Sequence, residues 1–252
     1  RTGPMTRALL TLCGLLALWQ FAVMLSGVPA FILPPPSAVL VTLWQQAPRL
    51  ADHALVTGSE ILAGFGLGAL AGVLSALTMI RYAAARRWLL PLLVISQALP
   101  VFALAPILML WLGYGMGSKI AMAVLIIYFP VTAACYDGLR RTEPGWLDLA
   151  RTLGAPPRAM LRHIRLPAAL PALGSGLRIA AATAPIGAVV GEWVGSGSGL
   201  GYLMLHANAR MQTDLMFAAL FVLALLALGL YATVDRGLRR LIYWQTESHA
   251  DD

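Results

Sequence analysis

Residues 148–167 read DLARTLGAPPRAMLRHIRLP, and this stretch decides the kind of protein the chain encodes. It lies in a basic island, with Arg140, Arg141, Arg151, Arg158, Arg162 and Arg165 set against only two acids, Glu143 and Asp148. Long apolar runs flank the island on both sides. The chain of 252 residues is 59% hydrophobic and 12% charged, too little charge for the surface of a soluble protein of this size. It reads as an integral membrane protein holding one long basic loop out into water.

Crossing the hydrocarbon takes about 20 apolar residues. Six stretches qualify, at 8–26, 57–80, 89–111, 119–136, 170–193 and 215–234, and the fold class is accordingly all-α with six transmembrane helices. The segments between them alternate in charge. One set holds Arg1, Arg7, Arg81, Arg86, Arg87, the six arginines of the island, Arg236, Arg239 and Arg240, fourteen basic residues in all. The other holds Arg49, Lys119 and Arg210, and Arg178 remains inside the fifth span. Positive residues stay on the cytoplasmic side, so both termini and the 137–170 loop are expected there, with 27–52 and 195–214 periplasmic. The net charge of +7 is thus an orientation signal rather than a nucleic-acid footprint.

The first run is read as a retained span rather than a signal peptide. No small-residue cleavage pattern follows it, and Trp19-Gln20-Phe21 carries it past the usual length. Three regions follow from the spans: 1–56 with the first span and a periplasmic segment, 57–240 as the main transmembrane domain, and a cytoplasmic tail at 241–252. Cys13 and Cys135 fall in apolar stretches and read as buried small side chains.

Other segments carry local signals. FILPPPS, 31–37, cannot be regular helix and turns the chain along the membrane surface. Leu166-Pro167 and Pro171 are expected to break the chain where it re-enters the bilayer. After the glycine turn at 195, Leu200, Leu203, Ala207 and Met211 recur at helical spacing. Gly64, Gly68 and Gly72, and again Gly187, Gly191 and Gly195, form small-residue ridges that let helices approach closely. Pro91, Pro100, Pro106 and Pro130 interrupt backbone hydrogen bonding inside the third and fourth spans, which is tolerated where helices line a cavity.

Chemistry is sparse. No Walker sequence is present; Gly113–Lys119 has a serine between the last glycine and the lysine. His53, His163, His206 and His249 are scattered with no paired acid, so no covalent chemistry and no metal site are expected. The candidates for a polar pathway are Glu60, Gln97 and Glu192. Glu60 reads most simply as a rim residue that snorkels or bonds a neighbouring helix, and Arg178 as structural.

Within the loop, Thr142-Glu143-Pro144 is a helix start, and Trp146 to Leu153 supplies two turns. Gly154 stands where a helix stops in a left-handed conformation, and Pro156-Pro157 opens a second helix. Arg158, Arg162 and Arg165 then share one face. This pattern resembles the EAA motif of ABC importer permeases: Glu-Ala-Ala, three residues, Gly, nine residues, Ile, one residue, Leu-Pro. Here Asp148, Leu149 and Ala150 take the triplet, followed at the same spacings by Gly154, Ile164, Leu166 and Pro167, with Asp for Glu and Leu for the first Ala. The SQALP stretch at 96–100, Gly191-Glu192 and Gly199-Leu200-Gly201 are similar to the binding-protein-dependent subfamily of sulfonate, taurine, nitrate and thiamine-precursor permeases.

The resemblance implies the type I importer fold, with a cytoplasmic coupling helix between spans four and five. It implies a permease working as a pair, a homodimer by expectation, in the bacterial inner membrane. The partners would be a cytoplasmic ATP-binding subunit, which holds the ATP and magnesium, and a periplasmic substrate-binding protein. The substrate expectation is a pyrimidine or related vitamin precursor, with alkanesulfonate, taurine or nitrate as the alternative. A secondary transporter is the rival of different class; it requires paired ionisable residues near the midplane and an inverted repeat.

Overall fold

A computed structural model describes residues 4–244, and every regular element among them is helical. In chain order these are α1 (Pro4–Ser26), α2 (Pro36–Gln45), α3 (Ala47–Arg81), α4 (Ala83–Ala98), α5 (Val101–Leu112), α6 (Met116–Arg140) and α7 (Pro144–Thr152). They are followed by α8 (Pro157–Met160), a π turn at Leu161–Arg165, α9 (Leu166–Gly195), α10 (Leu200–Ala209) and α11 (Thr213–Leu241). Arg1 and the tail beyond Trp244 lie outside the described residues.

Four helices are long and apolar enough to cross a membrane: Ala47–Arg81, Met116–Arg140, Pro157–Gly195 and Thr213–Leu241. The expected third span is not one straight helix. It is divided into α4 and α5, bent by 108°, and counts as a fifth crossing only if the pair is taken together. The break falls at Leu99-Pro100: Pro100 has no N–H to give, and the residue before it is pushed out of the helical region, to φ −83 and ψ 123. α1 has 23 residues, and its stretch Cys13–Ser26 is apolar.

Two further expectations need correction. Pro167 and Pro171 do not break the chain, which runs helical from Pro157 to Gly195. A π turn lies just upstream, where the bonding widens so that the Leu166 N–H reaches the Leu161 carbonyl, and the helix continues through Pro167 from that wider register. Met211 does not continue the apolar stripe of α10. Leu200, Leu203 and Ala207 are buried, but the helix ends at Ala209, and Met211 is exposed at φ 56.

The chain divides into two compact units. One comprises Arg1–Thr57 with Gly197–Leu225. Within it the FILPPPS stretch is non-helical up to Pro35, and α2 starts on Pro36 as an unforeseen helix. Thr213 donates to the Ala30 carbonyl at 2.8 Å, and Thr42 donates to Asp214 at 2.7 Å. The start of α10 is held from α3: the Gly199 N–H donates to His53 Nδ1 at 3.0 Å and the Leu200 N–H to Thr57 Oγ1 at 2.7 Å.

The other unit, Gly58–Ser196 with Leu226–Asp252, is built on α6. Gly64, Gly68 and Gly72 of α3 lie against Ala123, Ile127 and Val131, while Gly187 of α9 lies against the backbone of Ala123 from another side. Ala123 is fully buried between two glycine ridges, the close helix approach that small residues permit in lipid. A second apolar cluster gathers Ala76, Met79, Leu93, Cys135, Leu139 and Ala169.

Candidate coupling loop and pathway residues

α7 is a short amphipathic helix whose ends are written in its sequence. Glu143 caps it in a non-helical conformation, and Pro144 takes the first turn. At the other end Gly154 has φ +75; its N–H donates to the Arg151 carbonyl, and the Ala155 N–H donates to that of Ala150, both at 2.9 Å. These paired bonds are a Schellman stop, which needs a residue at ease in the left-handed region. Leu147 and Ala150 are buried, whereas Trp146, Leu149 and Leu153 are 54%, 61% and 78% exposed. α7 therefore anchors one face and presents an apolar ridge outward.

The motif residues do not all point the same way. Leu149, Ala150, Ile164 and Pro167 line one open cavity of about 420 Å³, joined by Trp146 and by Trp244 from beyond α11. Asp148 points to solvent and pairs with Arg151 at 2.6 Å, both more than half exposed. An exposed pair of this kind contributes roughly 0–1 kcal/mol, so the carboxylate is not what holds the loop together.

Of the pathway candidates, Gln97 lines an open cavity of about 590 Å³ beside the α4–α5 break, walled by α6 and α9. Ser96, Phe129 and Thr183 share it; Asp137 is the one ionisable side chain in its lining. Glu60 and Glu192 are not among its lining residues. Glu192 is buried in α9.

Of the two readings of Glu60, the bond to a neighbouring helix holds and the snorkelling rim residue does not. Glu60 is fully buried, and its Oε1 accepts from Lys119 Nζ at 2.9 Å. Lys119, the first residue of the expected span 119–136, occupies the first turn of α6, 5% exposed. A cation there opposes the positive end of the helix dipole, so its place in the bundle depends on the Glu60 charge. Gly191 of α9 lies directly against the Lys119 backbone and Cβ. Sequence reasoning set Lys119 at the boundary of the fourth span and did not pair it with Glu60. The one available signal was that Lys119 is the sole lysine among 18 basic residues. Arg178 is likewise tied, donating to Asp235 of α11 at 2.7 Å, with Arg239 on the same carboxylate at 2.8 Å.

Long apolar helices, a broken helix beside a cavity and a short amphipathic helix with an exposed apolar ridge fit a membrane protein of several spans. The chain belongs to the family described as the inner membrane component of binding-protein-dependent transport systems, whose model matches residues 64–242. It is 58% identical over 229 residues to a "Probable ABC transporter permease protein" of Haemophilus influenzae, covering 91% of this chain and 94% of that one. It is 39% identical to the riboflavin transport system permease protein RibX of Chloroflexus aurantiacus, over 93% of this chain and 88% of the relative. Identity to the formylaminopyrimidine transport permease protein ThiX of Halalkalibacterium halodurans is 36%, with 92% of each chain covered. Among solved structures the fold is similar to that of an inward-facing MetNI methionine ABC transporter chain, with TM-score 0.62 and 22% identity, covering 79% of this chain and 97% of that one. The chain is thus an ABC transporter permease of the inner-membrane, binding-protein-dependent kind, as its EAA-like spacing implies.

Proposed function

We propose that this permease imports a neutral, hydrogen-bonding heterocycle of the pyrimidine or vitamin-precursor type. The observation carrying this reading is the lining of the cavity beside the α4–α5 break. It offers the Gln97 amide, the Phe129 ring and the hydroxyls of Ser96 and Thr183, which donate to carbonyls of their own helices and are left as acceptors, and no basic residue. An amide can donate and accept at once, as a heterocycle's ring nitrogens and substituents require. A volume of about 590 Å³ lies within the range of small-molecule sites. The names of the riboflavin and formylaminopyrimidine relatives support the same class of substrate. An alkanesulfonate, taurine or nitrate would find no cation in this lining.

The chain crosses the membrane six times in this reading, through α1, α3, the α4–α5 pair, α6, the helix from Pro157 to Gly195, and α11. Both termini and the α7–α8 loop are cytoplasmic. Two copies form the channel, and a periplasmic binding protein delivers the substrate. A cytoplasmic ATP-binding subunit docks on Trp146, Leu149 and Leu153, the exposed ridge of α7. ATP and its magnesium are held by that partner. Closure of the two ATPases moves the loop as a unit and rocks the bundles between inward- and outward-facing states. α7 is suited to this because the Gly154 stop and Pro156 fix its angle to the long helix that follows.

Uptake into proteoliposomes tests the reading, with the complex reconstituted with its ATPase and cognate binding protein. A labelled pyrimidine accumulates with ATP and not without it. Accumulation of labelled sulfonate or nitrate, with the pyrimidine neither accumulating nor competing, refutes the assignment.

A further inference from the structure

The cavity beside the broken helix and a second one of about 710 Å³ under α7 have Ala134 and Asp137 in common. Asp137 is the only ionisable residue lining the first; in the second it is joined by Arg141 and Glu143. We propose that Asp137 is a specificity-determining residue of the pathway. Its carboxylate accepts N–H hydrogen bonds from an amino-substituted neutral heterocycle. This rests on the substrate reading above and narrows it to amino-bearing rings.

Two observations carry the assignment. First, the side chain is 47% exposed, and the nearest guanidinium nitrogens, those of Arg140 and Arg141, stand at 3.9 and 4.0 Å. Those distances exceed a hydrogen bond, so the two arginines balance the charge without occupying its acceptor sites. Second, Ile126, Phe129, Ala133 and Asp137 follow one another at three- and four-residue intervals, placing an aromatic face and a carboxylate along one side of α6. A flat ring against Phe129 and Pro130 then has a carboxylate towards one end of the cavity and the Gln97 amide in the same lining.

A hydrogen bond to a charged group is worth roughly ten- to hundredfold in affinity. The experiment compares uptake of an aminopyrimidine with that of its methyl analogue, using one binding protein throughout, in wild type and Asp137→Asn. The preference for the amino compound should fall roughly ten- to hundredfold in the variant, through a raised KM for that compound alone. If both compounds lose uptake equally, or the preference is unchanged, the carboxylate does not recognise substrate and the inference is overturned while the pyrimidine reading stands. If wild type accumulates sulfonate or nitrate and no pyrimidine, the reading itself has failed and this inference falls with it. Asp137→Ser, smaller and uncharged, carries the same test should Asp137→Asn not assemble. Failure of both to assemble marks Asp137 as structural and also overturns the proposal.

Discussion

At the residue scale the Lys119–Glu60 pair is the feature with the largest energetic consequence. Both side chains are essentially out of solvent, at 6% and 0% exposure. Removing one partner of such a pair leaves an uncompensated buried charge, at a cost of roughly 3–5 kcal/mol, whereas replacing both with apolar groups is often neutral. Glu60→Gln and Lys119→Met alone should each lower the melting temperature of the lipid- or detergent-solubilised protein sharply. The double variant Glu60→Leu/Lys119→Met should recover most of that loss. A double variant as unstable as either single one would show that the charges do more than neutralise each other. The secondary-transporter rival asks for a pair of this kind at the midplane. This one sits instead in the first turn of α6, near a helix end, and family membership excludes the rival.

At the scale of the element, α7 shows how a helix is cut to length. Its Gly154 turn has open space where a Cβ would go, so a substitution there is opposed by conformation rather than by contact. Valine at φ +75 costs about 1–3 kcal/mol of strain, relieved by unwinding the last turn and tilting the exposed ridge of Trp146, Leu149 and Leu153. Gly154→Val should insert into the membrane normally yet hydrolyse ATP with the partner while importing little. Asp148→Ala should be far milder, because that carboxylate holds only the exposed Arg151 pair. Wild-type uptake by the Gly154 variant, measured alongside ATPase rate, would remove this loop from coupling. The extent of α7 was legible before the structure because proline, glycine and their positions act locally. The π turn that carries Pro167 into a continuous helix was not, since it depends on how the backbone registers over the neighbouring turns.

At the scale of the whole molecule, charge sets orientation. In the proposed topology the basic residues at Arg81, Arg86, Arg87, the 140–165 loop and the end of α11 lie on the cytoplasmic side, because the bias that orients a membrane chain acts before it folds. A cysteine-free background, with Cys13→Ala and Cys135→Ala, makes this measurable. Asn208→Cys should be labelled by an impermeant maleimide from outside the cell, and Arg158→Cys only after permeabilisation; both residues are exposed. The reverse pattern would invert the topology.

What the sequence by itself determined is whatever rests on local chemistry or on composition summed along the chain. The membrane class, the helix ends at Pro144 and Gly154, the EAA-like spacing that marked the transport family, and the small-residue ridges are all of this kind. Only the tertiary structure decided which residues meet. It took Glu60 and Lys119, 59 positions apart, and closed them into one buried pair; it bent the third apolar run by 108° at Pro100; and it put Gln97 and Asp137 into one cavity lining. Such outcomes depend on the order in which helices pack. Period and composition state how a helix can face its surroundings, but not which partner it will find there.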